Sequence, residues 1–167
     1  MRLALFQREA GGFPNTLIPL TSTLVFVLLS VVPLQVTPAF ALMAVYHWTI
    51  YRAELLPPVA VFLAGLLLDF LNGTQYVGTS ALSLLLVRTA LLSQRRFFVN
   101  RPFPLLWAGF LLTAVIVIAF EWALVSAFLR TAVGTRPFIF ETVLTVASFP
   151  LGSYILTRLQ RGFLTRE

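Results

Sequence analysis

The side chains able to do chemistry in this chain are few: six carboxylates, one imidazole, twelve guanidinium groups and no thiol among 167 residues. His47 cannot assemble a zinc site alone, and without cysteine neither a thiolate metal site nor a disulfide framework is open to the chain. No two acids stand three or four residues apart, the spacing that would set paired carboxylates on one helix face for a metal. Gly78-Thr79-Ser80 lacks the Gly-x-Ser-Gly order of an intramembrane serine protease, and no Gly-rich phosphate loop is present. The sequence therefore predicts a non-enzymatic protein with no catalytic, cofactor-binding or metal-binding residues.

What remains is three charges set in apolar surroundings. In AGLLLDFLNGT (Ala64 to Thr74), Asp69 interrupts a leucine run, with Gly65 one helical turn before it and Asn72 nearly one turn after, all on one face. Ala60 and Ala64 form a small-xxx-small pair that lets another backbone come close. Two roles are open to Asp69: a hydrogen-bonding tie for the turn from Asn72 to Gly78, or a contact for a partner, since carboxylates in apolar segments are functional suspects by default. Arg88 and Glu121 lie deeper, at about 18 Å and about 12 Å from the outer ends of their segments by the helical rise per residue. They match in depth to within a long side chain's reach and form a possible ion pair; the alternative is that Arg88 reaches inward to the headgroups and Glu121 outward.

The elements that must position these groups follow from composition. With 59% apolar residues, 11% charged and a mean hydropathy of +0.91, the chain reads as an integral membrane protein forming a single polytopic domain over 1–167. Apolar segments fall at about 17–36, 37–51, 55–71, 76–92, 104–129 and 137–159, against the roughly 20 residues a spanning helix needs. The second and third are short for a span. The fold class expected is all-α, a compact bundle of about six transmembrane helices. The net charge of +6 comes from arginines at segment ends, so anionic lipid and topology explain it better than nucleic acid does.

With the amino terminus inside, Arg2, Arg8, Arg52, Arg95, Arg96, Arg101, Arg158, Arg161 and Arg166 lie on the inner side, and only Arg130 and Arg136 on the outer. The positive-inside rule then makes both termini cytoplasmic. A cleaved signal peptide ending at Ala39-Phe40-Ala41 is the rival reading. It is disfavoured because the stretch is too long and apolar sequence continues past the cut. Asn72-Gly73 with Gly78 signals a tight outer hairpin, and Pro57-Pro58 a helix start; Pro19, Pro33 and Pro150 fall in or near spans, where membrane helices tolerate them. Tyr46, Trp48 and Tyr51 are expected as interfacial anchors, with His47 at headgroup level among them.

The stretch from Phe40 to Leu92 resembles the MreD family, small polytopic rod-shape-determining proteins of bacterial inner membranes. The resemblance rests on Tyr46-His47-Trp48-Thr49-Ile50-Tyr51, on Ala64 to Thr74 set against a Gly-x-x-x-Asp-x-x-Ser-Gly-Ser pattern, and on Gly78 followed by Ala81-Leu82. Asn72 and Thr74 replace the pattern's serines, and His47 stands between Tyr and Trp. The resemblance implies a scaffold of the peptidoglycan elongation complex that binds the bitopic partner MreC. Through MreC it would reach the transpeptidase and glycosyltransferase pair and the MreB filament. It makes Gly65, Asp69, Asn72, Gly73 and Gly78 the family motif and possible partner contact. The family in turn resembles in fold the substrate-binding subunits of energy-coupling-factor vitamin transporters, the alternative function. Such a subunit would need an outward polar pocket, for which Asp69, Asn72, Thr74, Gln75 and Glu121 are thin provision. The Ala-x-x-x-Ala docking pattern of those subunits is also absent from the first segment.

Overall fold

The structure, a computed structural model, describes residues 12–31, 38–73, 77–98, 102–131 and 134–164. Within them all regular structure is helical: α1 (Gly12–Leu29), α2 (Phe40–Arg52), α3 (Pro58–Leu71), α4 (Thr79–Phe98), α5 (Phe103–Leu129) and α6 (Arg136–Leu164), with a 3₁₀ turn at Ala53–Leu55 joining α2 to α3. Arg2, Arg8, Pro33, Thr74, Gln75, Arg101 and Arg166 lie outside the described residues, as do 32–36 of the first apolar segment and the first residue of the second and fourth. Helix α5 and residues Arg136–Leu159 of α6 are long and apolar enough to cross a membrane; Leu17–Leu29 and α3 are shorter apolar helices.

Helix ends depart from the apolar segments for identifiable reasons. Prolines open α3 and α5, where a missing amide donor costs nothing, so α3 begins at Pro58 and not at residue 55. Helix α4 starts at Thr79 because Gly78 holds φ at +108°, a conformation that ends any helix before it. At its other end α4 runs through Ser93-Gln94-Arg95-Arg96 to Phe98, six residues past the apolar segment. Hydropathy marks an apolar layer, whereas the hydrogen-bond ladder continues for as long as good helix formers such as Gln and Arg follow.

Helix α2 is the axis. It touches each of the other five helices, which close around it in the order α1, α3, α4, α5, α6 and back to α1. Every residue from Ala41 to Ile50 is buried. A helix of 13 residues spans only about 20 Å, and because it is enclosed it does not have to match the length of its neighbours. This enclosure corrects the expectation of interfacial anchors at its end. Tyr46 is 1% exposed and donates from its hydroxyl to the Leu106 carbonyl at 3.0 Å, while Trp48 is fully buried and donates from Nε1 to Ser22 Oγ at 2.9 Å. Both rings are satisfied inside the bundle, and of the three only Tyr51, 40% exposed, faces outward.

Two devices lock the ring. Gly65 of α3 sits so close to α4 that a Cβ there would lie 2.4 Å from Ala81 Cα and 2.7 Å from Ala81 N, so the crossing is a backbone-to-backbone contact. In α6, Pro150 has no amide to offer the Val146 carbonyl one turn earlier, and Trp107 of α5 supplies the missing donor from Nε1 at 3.1 Å. The outward faces carry large apolar side chains all round, among them Val59, Phe70, Leu112, Phe140, Val143 and Leu151, each at least 60% exposed.

Candidate functional site

Asp69 stands at the end of the face of α3 that packs on α4, following Val61 and Gly65, and is fully buried. Its Oδ2 accepts the Gly78 N–H at 2.7 Å and its Oδ1 the Ser80 N–H at 3.2 Å, with the Thr79 hydroxyl at 3.5 Å from Oδ1. Gly78 has no side chain with which to cap α4, so the carboxylate of the preceding helix does so. It satisfies amides that have no partner within the helix and places negative charge at the positive end of the α4 dipole. Asn72 ends α3 with its amide on the Leu68 carbonyl, and Gly73 turns the chain at φ +61°. Gly65, Asp69, Asn72, Gly73 and Gly78 are thus assembled into one hairpin, in which the glycines permit the approach and the turn and the carboxylate closes it.

Behind this hairpin lies a cavity of about 120 Å³ between α2, α3, α4, α5 and α6, lined among others by Ser30, Asn72, Ser80, Glu121 and Glu141. Glu121 lies beside Ser83 and within electrostatic reach of Glu141 and Asp69. Glu141 escaped the sequence reading. It lies inside the sixth apolar segment, five residues past Arg136, but no other charged residue stands three or four positions from it to mark a site.

Arg88 and Glu121 are not brought together, which corrects the ion pair the sequence allowed. Arg88 turns inward: its Nε donates to the Leu56 carbonyl at 3.0 Å and its Nη2 to the Ala53 carbonyl at 3.4 Å. Two turns along α4, Arg95 donates from Nε to Ile50 O at 2.9 Å and from Nη2 to Tyr51 O at 3.4 Å, and pairs through Nη1 with Glu54 at 3.3 Å. Matching depth was not enough, because the open carbonyls at the end of α2 and along the link to α3 lie within reach of α4. Cations are favoured at such a helix C-terminus. His47 is 3% exposed and not at the surface; its ring packs 4.7 Å from Tyr51 and 5.5 Å from Trp48, beside a cavity of about 40 Å³.

Two larger recesses open sideways. One of about 530 Å³ runs between α1 and α6, lined by Thr21, Val25, Leu29, Ser148, Leu151 and Gly152 with others; a second, of about 280 Å³, runs between α4 and α5. Among the described residues no three of His, Asp and Glu are grouped to hold a metal ion. No family model, no curated protein and no solved structure matches this chain.

Proposed function

We infer that the protein is a multi-pass scaffold of the bacterial inner membrane, both termini cytoplasmic, that seats the single transmembrane helix of an MreC-like partner and so serves the peptidoglycan elongation complex. The observation that carries this reading is the α1–α6 recess. It is apolar, open sideways and about 530 Å³ in volume, and Ser148 and Gly152 form a small-xxx-small step along its α6 wall. Such steps let a neighbouring helix approach closely in lipid, where packing drives association. Apolar side chains around the whole exterior support the embedding, since a soluble exterior keeps such patches small. The resemblance of Phe40 to Leu92 to the MreD family supplies the identity of the partner and the complex.

The vitamin-binding alternative asks for an outward polar pocket. The cavity behind the hairpin has suitable groups in Asn72, Ser80, Glu121 and Glu141, but its volume of about 120 Å³ falls below the roughly 300–1,000 Å³ of sites for molecules of that size. The scaffold reading is therefore preferred. Its test is co-purification of the MreC-like partner with the full chain and with Val25→Trp and Leu151→Trp, two exposed recess positions. Both variants should remain in the membrane fraction at normal abundance and lose the partner. Undiminished partner recovery with the recess filled would overturn the reading.

A further inference from the structure

We propose that the inner end of the α5–α6 seam is a binding site for one anionic phospholipid with a polyol headgroup. This rests on the membrane-embedded reading above. The site is a groove of about 400 Å³ lined by Phe103, Pro150, Ser153, Tyr154, Thr157 and Arg158. Phe103, the first residue of α5, lines the groove from one side, its ring stacked on Phe149. Arg158 closes it from the other, on the same face of α6 as Ser153, Tyr154 and Thr157.

Arg158 is held differently from the two arginines of α4 that reach the α2–α3 link. Arg88 and Arg95 spend their donors on backbone carbonyls and Glu54. Arg158 instead donates from Nε and Nη2 to the Tyr154 hydroxyl at 3.0 and 2.7 Å, with its guanidinium carbon 5.2 Å from that ring's centroid. No carboxylate of the described residues pairs with it. A hydroxyl, and not a carboxylate, thus orients the side chain, and Nη1 remains to meet a phosphate oxygen.

The rest of the groove fits a lipid. From Arg158 to Pro150 is eight residues, about 12 Å along the helix, which takes the groove from headgroup level to the depth of the first acyl methylenes. There Phe103 and Pro150 supply apolar walls. Ser153 and Thr157 donate their hydroxyl hydrogens to the Pro150 and Ser153 carbonyls, leaving oxygen lone pairs turned to acceptance. Acceptors beside a guanidinium suit a headgroup that pairs a phosphate with hydroxyl donors, as phosphatidylglycerol does. A serine headgroup would bring an ammonium against Arg158, and a choline headgroup has no hydroxyl to donate.

The test is native mass spectrometry of the full chain in mild detergent, titrated with phosphatidylglycerol or phosphatidylcholine, after carbonate washing has established that the chain is retained in membranes. Retention with one tightly held phosphatidylglycerol, and weaker phosphatidylcholine, is expected for the wild-type protein. Arg158→Gln should weaken phosphatidylglycerol about fivefold to tenfold, and Tyr154→Phe should weaken it less, while Arg96→Gln, an exposed arginine elsewhere on α4, should leave it unchanged. Glycerol phosphate at millimolar concentration should not displace the lipid; displacement would mean a free-phosphate site. Equal binding of the two lipids by the wild-type protein, which needs no variant to fold, would overturn the proposal, as would equal losses in Arg158→Gln and Arg96→Gln. Release of the chain by carbonate would instead overturn the membrane reading.

Discussion

At the scale of single residues, the charges in apolar surroundings divide into those the backbone uses and those that face each other. Asp69 accepts main-chain amides through both oxygens, so Asp69→Asn, though the same shape, turns an NH₂ group toward one of them. It should lower stability by about 1–3 kcal/mol, the usual penalty of an unmet buried hydrogen bond, read as a lower melting temperature in detergent. An unchanged melting temperature would show that the cap is dispensable. Arg88 and Glu121 should behave independently. Arg88→Met strands the Leu56 and Ala53 carbonyls and should destabilise, whereas Glu121→Gln removes a charge facing Glu141 and should be neutral or stabilising. The double variant should show the sum to within about 0.5 kcal/mol; rescue of one by the other would reinstate the ion pair. The spacing of Gly65, Asp69 and Asn72 and the turn glycines made the hairpin legible in the sequence, because a helix face and a turn are local patterns. The fate of Arg88 was not legible: depth along an axis says nothing of which carbonyls lie within side-chain reach.

At the scale of elements, the helices that crowd together do so through particular contacts. Adding a side chain at Gly65 drives it into the Ala81 backbone, so Gly65→Leu should abolish folding. Ala81→Gly should not restore it, since the obstruction is Cα and N and not the methyl. The Trp107 bond across α5 and α6 exists because Pro150 withholds an amide from Val146. Trp107→Phe should therefore cost about 1 kcal/mol in the natural chain and markedly less in a Pro150→Ala background, where α6 closes its own ladder. Equal costs in both backgrounds would mean that the indole serves only as packing. Element existence was readable from apolar runs and proline positions. The burial of α2 was not, because its Tyr46, Trp48 and Tyr51 pattern is the one a helix end at a membrane surface would show, and only the closed ring of five neighbours decides otherwise.

At the scale of the whole molecule, one short helix is enclosed by five others, each of which exposes large apolar side chains among the described residues, and arginines gather at the ends of the apolar segments. In the proposed membrane embedding, the positive-inside rule puts both termini in the cytoplasm. Reporter fusions after Gln75 and Gly134 should read as periplasmic and one after Asn100 as cytoplasmic, and the reverse pattern would contradict the six-span arrangement. The proposed function took its partner from the resemblance of Phe40 to Leu92 to one family and its docking surface from the structure, because lateral grooves arise from how helices pack and leave no pattern in a sequence. The most direct test of the scaffold reading is photo-crosslinking in living cells from Val25 and Leu151, on the α1–α6 recess, with Val59 on α3 as the control position. The expected result is a crosslink from both recess positions, and not from Val59, to the single-span MreC-like protein. A chain inserted in the membrane whose recess positions crosslink no such partner, or crosslink it no more than Val59 does, would contradict the proposed function.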